Sequence, residues 1–390
     1  MDLEALGSSP IGTLVPIQGH DEHLREFSYF AFLPASLPTT VDLTSETWTQ
    51  VAAASEALGR LHQACATIPN PQLLIAPALA REAVDTSALE GTYGALADVL
   101  EARLSQAKPK SPEVAEIRAY ERMAHMAFDW INDRPVTVSM LCDLQAILAQ
   151  DSVQPQRDPG RVREHQVVIG PRGGTVYEAR YIPPPPDDRL RAGLDHWQAW
   201  LETRHPLPPP VKAAMAHYQF ESLHPFGDGN GRLGRLIIVL QLVRSGVLSE
   251  PAITISPWLR KRRTEYQDHL LRVSKTGDWN SWVCFFCDAL TEQSLACVRV
   301  VDQLNTWLAR VRQNIFDRHW SGTVAHLVED LVTWPVITSA FVQQKYGVSG
   351  PTAKSAIDRL LEIGVIHETS GRAYGRRYAA VDVIQAVESL

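Results

Sequence analysis

Residues 224–235 read His-Pro-Phe-Gly-Asp-Gly-Asn-Gly-Arg-Leu-Gly-Arg, and this stretch decides the fold. From its last third onward, apolar residues recur at helical spacing and predict a buried helix. These positions are Leu233, Leu236, Ile237, Leu240 and Val243. Before the stretch, Val211, Met215 and Tyr218 predict another helix, which ends just before His224. The Gly-Asn-Gly amides therefore open the second helix, where unpaired N–H groups and the helix dipole attract anions.

The glycines and arginines of this loop suit a polyphosphate. Gly229 and Gly231 have no Cβ, so the backbone can approach a phosphate closely. Arg232 and Arg235 lie three positions apart on the predicted helix. Both guanidinium groups can therefore point into one site and bind phosphate oxygens.

The same stretch also contains a candidate base and a candidate metal ligand. His224 titrates near neutral pH and can accept the proton of an attacking hydroxyl. Asp228 supplies hard oxygen ligands beside the predicted phosphates, which is how proteins usually hold Mg²⁺. A turn rich in glycine with its charges in water is the simpler interpretation. The ordered set between two helices instead favours transfer of a phosphoryl or nucleotidyl group to a hydroxyl.

The stretch resembles the signature of the Fic (Fido) family, His-x-Phe-x-(Asp/Glu)-Gly-Asn-Gly-Arg-x-x-Arg, and matches every defined position. The resemblance implies a protein AMP-transferase, in which a Ser, Thr or Tyr hydroxyl attacks the α-phosphate of ATP and pyrophosphate leaves. It makes His224 the base and Asp228 the Mg²⁺ ligand. The ATP-binding residues that it implies are Gly229, Asn230 and Gly231 at the α-phosphate, Arg232 and Arg235 at the β- and γ-phosphates, and Leu233 and Gly234 between them.

A second motif lies upstream. Residues 82–91 alternate small and acidic side chains on a predicted helix that Gly91 ends. By itself, Glu90 reads as a solvated acid at a helix C-terminus, an unfavourable place for negative charge. Thr86, Glu90 and Gly91 resemble the (Ser/Thr)-x-x-x-Glu-(Gly/Asn) inhibitory motif of Fic proteins whose inhibitory helix precedes the core. That resemblance implies that Glu90 pairs with Arg235 and keeps the γ-phosphate from binding productively.

Between the two motifs, residues 167–169 and 175–177 are β-formers on either side of Gly173 and Gly174, which predicts a short hairpin. An ordinary surface hairpin is the simpler interpretation. In the Fic fold, a hairpin flap here presents a strand edge to the target protein, a case of β-augmentation. Residues 160–163 and 179–184 resemble the flanks of that flap, so the resemblance implies target contact around residues 163–182.

The expected fold class is mainly α, in three regions. Residues 1–108 are expected to form a helical N-terminal domain with the inhibitory motif, and residues 109–305 the helical Fic core with its flap. Ser111 and Pro112 are the predicted N-cap and first residue of a core helix. Within the core, Trp258 and Tyr266 are expected to wall the adenine, although both also fit core packing.

Residues 306–390 are expected to form an α+β winged-helix domain. Predicted helices at 338–346 and 352–363 precede strand-like pieces at 365–368 and 376–380. From residue 338 onward, six basic and five acidic residues leave a net charge of +1. Only the predicted wing, with Arg372, Arg376 and Arg377, is locally basic. DNA binding and protein docking both remain open for this domain.

Composition narrows the class of protein further. The 390 residues carry a net charge of −7 and a pI near 6.0, which gives no general attraction to nucleic acid or anionic membranes. An acidic start and the lack of an apolar run of 18 residues predict a cytoplasmic protein with no membrane partner. Five cysteines make no disulfide framework, and Cys284 and Cys287 lie in an apolar run typical of core cysteines.

The sequence thus predicts a self-inhibited protein AMP-transferase that uses ATP and Mg²⁺ and also modifies itself. Its expected partners are ATP, a target protein at the flap, DNA or protein at the winged helix, and a second copy of the chain. Three alternatives remain: a Fic-fold transferase with another diphosphate donor, an enzyme that removes AMP from proteins, and an ATP-sensing transcriptional regulator.

Overall fold

The computed structural model describes residues 1–20, 26–66, 72–104, 111–152, 156–171, 174–371 and 375–390. It is mainly helical, as the sequence predicts, with small antiparallel sheets. No helix within these ranges has both the length and the apolar composition needed to cross a membrane.

The N-terminal region departs from the all-helical prediction. Two antiparallel strands of nine residues each follow the first helix, and Val15 pairs with Ala31 in their register. Phe27 and Ala31 are buried on one face of the second strand and Phe32 on the other, so neighbouring segments cover both faces. The elements in chain order are α1 (Leu3–Gly7), β1 (Gly12–His20), β2 (Glu26–Pro34), α2 (Ser45–Ala66), α3 (Gln72–Leu89) and α4 (Leu96–Ala102).

The core surrounds two buried helices. They are α8 and α9, on either side of the His224 loop, as predicted. Ser111 caps the first core helix, with Pro112 at its start, and confirms that prediction too. The core elements are α5 (Pro112–Ile131), α6 (Val138–Ala149), α7 (Asp188–Glu202), α8 (Pro209–Leu223), α9 (Asn230–Arg244), α10 (Ser256–Lys261) and α11 (Arg263–Thr276).

The hairpin predicted between residues 167–169 and 175–177 does not form with that pairing. Ile169 forms one isolated antiparallel bridge, and its partner is Tyr181 rather than the 175–177 segment. Residues 176–178 form a turn instead, in which the Glu178 N–H donates to the Thr175 carbonyl over 3.1 Å. Gly173 lies outside the described residues. Burial of Val176 against Ile17 and Phe27 explains the difference, because the segment packs on the N-terminal hairpin.

The C-terminal region begins inside a long helix. Helix α12 (Trp279–Asp317) runs unbroken for 39 residues through the predicted domain boundary at 305/306, and packs along α2. The two helices and two strands predicted for this region are present, in a sheet of order β3-β5-β4. The elements after α12 are α13 (Thr323–Asp330), β3 (Val336–Thr338), α14 (Ser339–Tyr346), α15 (Gly350–Glu362), β4 (His367–Glu368), β5 (Arg377–Ala379) and α16 (Val381–Glu388).

Candidate active site

The loop between α8 and α9 is shaped by unusual backbone at both ends. His224 ends α8 with φ 49° and ψ 62°, a left-handed conformation that few non-glycine residues adopt. Gly229 opens α9 with φ 85°, where a side chain would be strained. The side chain of Asn230, the residue after Gly229, accepts from the Phe226 N–H over 2.9 Å and donates to the Phe226 carbonyl over 2.8 Å.

These two bonds change the interpretation of Asn230. The sequence expectation gives it the α-phosphate, but its side-chain amide is committed to the loop backbone. The residue is 2% exposed, so its side chain holds the loop in one shape, and its expected role at the α-phosphate stays a prediction. The Gly229 N–H donates to Asp228 Oδ1 in this structure, so the Gly231 N–H is the better placed of the two glycine amides for phosphate contact.

The His224 ring is poised as a neutral base. Its Nδ1 lies 3.3 Å from the Glu221 carbonyl, so an Nδ1–H tautomer donates there and leaves Nε2 free to accept a proton. Burial and, after it, the neighbouring Arg163 guanidinium lower the pKa of His224 to about 4. The imidazole is therefore unprotonated at neutral pH, as a general base requires.

Arg235 makes the contact that the upstream motif predicts. Its NH2 lies 2.6 Å from Glu90 Oε1, across 145 positions of sequence. Its Nε donates to Thr86 Oγ1 over 2.7 Å, and its NH2 to the Thr86 carbonyl over 3.1 Å. Helix α3 ends at Leu89, and Gly91 follows with φ 91°, so the predicted helix end is confirmed.

Charge at this pair is strongly stabilised. Burial opposes ionisation of Glu90, but the Arg235 guanidinium outweighs it and lowers the pKa of the carboxyl, with help from Arg232 and His224. Burial also opposes the charge on Arg235, yet Glu90 raises the pKa of that group above its ordinary value. The two side chains therefore form a charged pair at neutral pH.

The Glu90 carboxylate lies directly over the start of α9. A Cβ on Gly231 would collide with Glu90 Oε1 and come within 2.9 Å of Arg235 NH1. Glycine at this position thus allows a carboxylate, or any other anion, to reach the first turn of the helix. Glu90 occupies the place where unpaired N–H groups and the helix dipole attract a phosphate.

Arg232 lies deeper than the sequence suggests. It is 1% exposed, and its NH1 lies 2.6 Å from Glu116 Oε1 on α5. Its NH2 lies 3.1 Å from Asp228 Oδ2, and Glu116 also accepts from Thr92 Oγ1 over 2.9 Å. Arg232 therefore ties the loop to α5 in this structure. Its expected role at the phosphates stays a prediction.

Asp228 has the exposure and the oxygens of a metal ligand. Its side chain is 50% exposed, Oδ1 accepts from the Gly229 N–H over 2.7 Å, and Oδ2 accepts from Gln156 over 3.0 Å. No cluster of three metal-binding side chains occurs within the described ranges. A single carboxylate is nonetheless what Mg²⁺ uses when substrate phosphates supply its other ligands, so Asp228 fits that group.

A cavity of about 410 Å³ lies in front of these groups. Its walls come from α8, α9, α11 and residues of the 165–184 segment, called the flap segment below. They include Glu90, His224, Gly231 and Arg235. This volume is in the range of small-molecule sites. The structure therefore brings the base, the helix start and the Glu90–Arg235 pair to one cavity.

Of the two aromatics assigned to the adenine, only Tyr266 is among the residues that line this cavity. Its hydroxyl lies 2.7 Å from His217 Nε2, and His217 Nδ1 lies 3.0 Å from the Gly234 carbonyl. Trp258 instead packs edge-on against Phe285. The buried Trp258 ring packs in the core of this structure, and its expected role at the adenine stays a prediction.

Helix α3 is fixed to the core by two further acids. Glu82 accepts from the Ser256 N–H over 3.0 Å, and burial raises its pKa to about 7. Asp85 lies 2.7 Å from both Arg81 and Arg260. Helix α3, which precedes Glu90, is thus bonded to α10 at two positions. The sequence shows the acids in an apolar helix, but not their partners.

Glu221 is a second carboxyl at the cavity, and sequence reasoning missed it. Burial raises its pKa to about 8, and its buried Oε1 has no hydrogen-bond partner among the described residues. A Cβ on Gly234 would collide with that oxygen. Glu221 is the only acidic residue of α8 and lies three positions before His224, which was the available signal.

The raised pKa of Glu221 predicts a specific pH dependence of stability. The folded chain keeps the carboxyl proton up to about pH 8, whereas the unfolded chain loses it near 4.5. Stability therefore falls as pH rises through this window. In Glu221→Gln, the fall in unfolding free energy between pH 5 and 8 should shrink by more than about 1 kcal/mol, since one pKa unit is worth about 1.4 kcal/mol.

Urea unfolding at each pH measures this, with Glu202→Gln at an exposed position as the matched control. Parallel stability curves for the unchanged chain and Glu221→Gln would contradict the assignment.

Comparison with known families agrees with this architecture. Residues 135–242 match the model of the Fic/DOC family, and residues 48–129 match the model of the Fic/DOC family N-terminal region. The first match contains α8 and the loop with His224, and the second contains α3 with Glu90. These two segments are therefore similar to the Fic/DOC family and to its N-terminal region.

Two similar proteins match this chain over only part of its length and of their own. Over 126 residues, the chain is 39% identical to "Protein adenylyltransferase Fic" of Aedes aegypti and 36% identical to the protein of that name in Drosophila melanogaster. These matches cover 32% of this chain, but only 23% and 24% of those relatives. A crystal structure of a Fic family protein from Desulfovibrio desulfuricans G20 shares the fold, with a TM-score of 0.54 and 23% identity over 88% of this chain and 98% of that one.

Proposed function

We propose that the protein transfers AMP from ATP to a Ser, Thr or Tyr hydroxyl of a protein and releases pyrophosphate. The observation that carries the proposal is the common cavity, which joins an unprotonated His224 to the open start of α9 and to Arg235. The relatives' name, protein adenylyltransferase, supports the choice of donor.

The chain's own groups suffice for the proton and the phosphates. His224 Nε2 accepts the proton of the acceptor hydroxyl while its oxygen attacks the α-phosphorus, and the bond to the bridging oxygen of pyrophosphate breaks. The N–H groups at the start of α9 and the Arg235 guanidinium stabilise the negative charge that this displacement moves onto the phosphates. Tyr266 closes the cavity beside them.

Mass spectrometry tests the donor and the reaction together. The protein is incubated with Mg²⁺ and ATP, alone and with cell extract, and peptides are searched for added AMP. A panel of α-labelled ATP, UTP and a CDP-alcohol separates AMP transfer from the other diphosphate donors. Label from another donor, with none from ATP, would contradict the proposal.

For the metal, we infer that Asp228 would hold Mg²⁺ and that the ion would balance charge on the phosphates when bound. Asp228→Ala should raise the Mg²⁺ concentration needed for half-maximal transfer by roughly 10-fold or more, with little change in thermal stability because the side chain is half-exposed. The measurement is a Mg²⁺ titration of transfer. Asp228→Asn keeps an acceptor for the Gly229 N–H and so separates charge from loop shape. An unchanged titration for both variants would make Asp228 structural.

We also propose that the enzyme inhibits itself through Glu90. Support comes from the position of its carboxylate, which covers the start of α9 and forms an ion pair with Arg235. An incoming triphosphate meets a like charge and an occupied guanidinium at that place. Self-modification follows as an expectation once the pair is broken.

For the C-terminal region we propose a winged-helix domain that docks within the chain. Its element order and β3-β5-β4 sheet support the fold, and an ion pair between Arg377 on β5 and Glu101 on α4 supports the docking. Arg376 lies 3.4 Å from Glu368, so two of the three wing arginines have acidic neighbours. Arg372 lies outside the described residues. These contacts favour protein docking over DNA binding.

A further inference from the structure

Arg163 is a buried cation between the flap segment and the end of α8. It is 2% exposed, and its Nε donates to the His224 carbonyl over 2.8 Å. Its NH1 donates to the His165 carbonyl over 3.1 Å and its NH2 to the Pro184 carbonyl over 2.6 Å. A longer contact of 3.5 Å reaches the Leu223 carbonyl. One guanidinium thus contacts both ends of the flap segment and the last turn of α8.

All these bonds go to backbone carbonyls. Within the described residues, the structure gives this guanidinium no hydrogen bond to a carboxylate. A buried cation without an anionic partner is an expensive way to stabilise a fold. Carbonyls at a helix C-terminus, which lack intrahelical donors and carry partial negative charge, are the groups that such a cation can serve.

We propose that Arg163 is the positioning residue of the transfer reaction: it holds His224 in its left-handed conformation and fixes the base relative to both ends of the flap. The proposal rests on the function proposed above and adds a residue to it. Arg163 touches no reacting atom and acts through the backbone of His224.

The geometry around His224 explains why such a residue is needed. A left-handed histidine persists only where its surroundings determine it. Here the His224 N–H donates to the Phe220 carbonyl over 2.9 Å, the Arg163 N–H donates to the Pro225 carbonyl over 2.9 Å, and the guanidinium holds the carbonyl between them. Because φ and ψ at residue 224 aim the imidazole, the direction of Nε2 depends on these bonds.

Charge gives the proposal a second consequence. The titratable groups facing His224 and its cavity are Glu90, Arg163, Arg180, Glu221, Arg235, Arg263, Tyr181 and Tyr266. After burial, Arg163 is the strongest influence that lowers the pKa of His224, whereas Glu90 raises it. Removing the positive charge of Arg163 should therefore raise the pKa of His224 and move the acid limb of the pH–rate profile to higher pH.

The test uses two substitutions in the full chain with Glu90→Gly. Arg163→Lys keeps the charge but loses the fork of donors, so transfer at saturating ATP should fall on the order of 10²-fold with ATP affinity unchanged. Arg163→Gln should lose transfer and also shift the acid limb upward. Arg161→Gln is the matched control, because Arg161 is exposed and lies two residues away. Thermal unfolding checks each variant, and Arg163→Lys decides the matter if Arg163→Gln does not fold.

NMR titration of the His224 ring separates this proposal from the function. It needs no activity, and it should show a higher pKa for His224 in Arg163→Gln than in Arg161→Gln. Absence of AMP transfer by Glu90→Gly would overturn the function while the titration still reports the hold of Arg163 on the base. An unshifted His224 pKa, or transfer equal to that of Arg161→Gln, would overturn the positioning role. So would a loss of ATP affinity that matches the loss of transfer.

Discussion

Glu90→Gly should label itself and target proteins with AMP on the order of 10²-fold faster than the unchanged chain. The Glu90 carboxylate lies over the start of α9 and holds Arg235 at 2.6 Å. While it does so, we expect ATP to bind with its phosphates turned away from in-line attack, and misorientation of reacting groups costs rates of this order. Transfer should therefore rise far more than ATP affinity. A time course with α-labelled ATP, beside a binding isotherm, measures both.

Two further variants make this result specific. Adding Arg235→Ala should erase the gain, because the freed guanidinium is what the γ-phosphate then requires. Glu90→Gln keeps the size of the side chain without its charge, and should give an intermediate rate. Equal rates for the unchanged chain and Glu90→Gly would show that Glu90 is a plain helix-end residue, and self-inhibition would be rejected.

His224→Ala should remove transfer almost entirely while ATP still binds. General-base catalysis supplies on the order of 10²–10⁴ in rate, and the phosphates are held by the start of α9 and by Arg235 rather than by the imidazole. The measurement compares labelled AMP incorporation and ATP binding in the Glu90→Gly background, where the activity is large enough to lose.

A matched control is available on the same helix. His217 is also buried and neutral, since burial lowers its pKa to about 3. Unlike His224, it uses both ring nitrogens in hydrogen bonds, to Tyr266 and to the Gly234 carbonyl. Replacing His217 should affect stability more than the proton transfer. If His224→Ala retained most of the transfer, a different group would have to be the base.

The sequence predicts local features of this site well. Helical spacing on both sides of residues 224–235 gives α8 and α9, and the small residues of the loop give the anion site at the start of α9. The Glu90–Arg235 contact was predictable too, but only from the resemblance to a known motif. Nothing in the spacing of two residues 145 positions apart requires them to meet.

Contacts that depend on tertiary packing could not be predicted from the sequence. Glu116 is an ordinary acid on an amphipathic helix until α5 packs on α9 and brings it to Arg232. Arg163 looks like a surface charge until the chain folds around it. The N-terminal strands were missed for a related reason, because their aromatic residues are buried against the flap segment and not against the main core.

Helix α12 sets how this protein can be divided. At 1.5 Å per residue its 39 residues extend for about 58 Å as a continuous rod. Proteases cut preferentially at exposed, irregular backbone, and residue 305 offers none. A chain cut there would expose Trp307, Leu308 and Val311, which are buried in the intact protein. The regions before and after residue 305 therefore share one continuous helix. Recombination at this point should not separate them unless other residues bury the apolar side chains that the cut exposes.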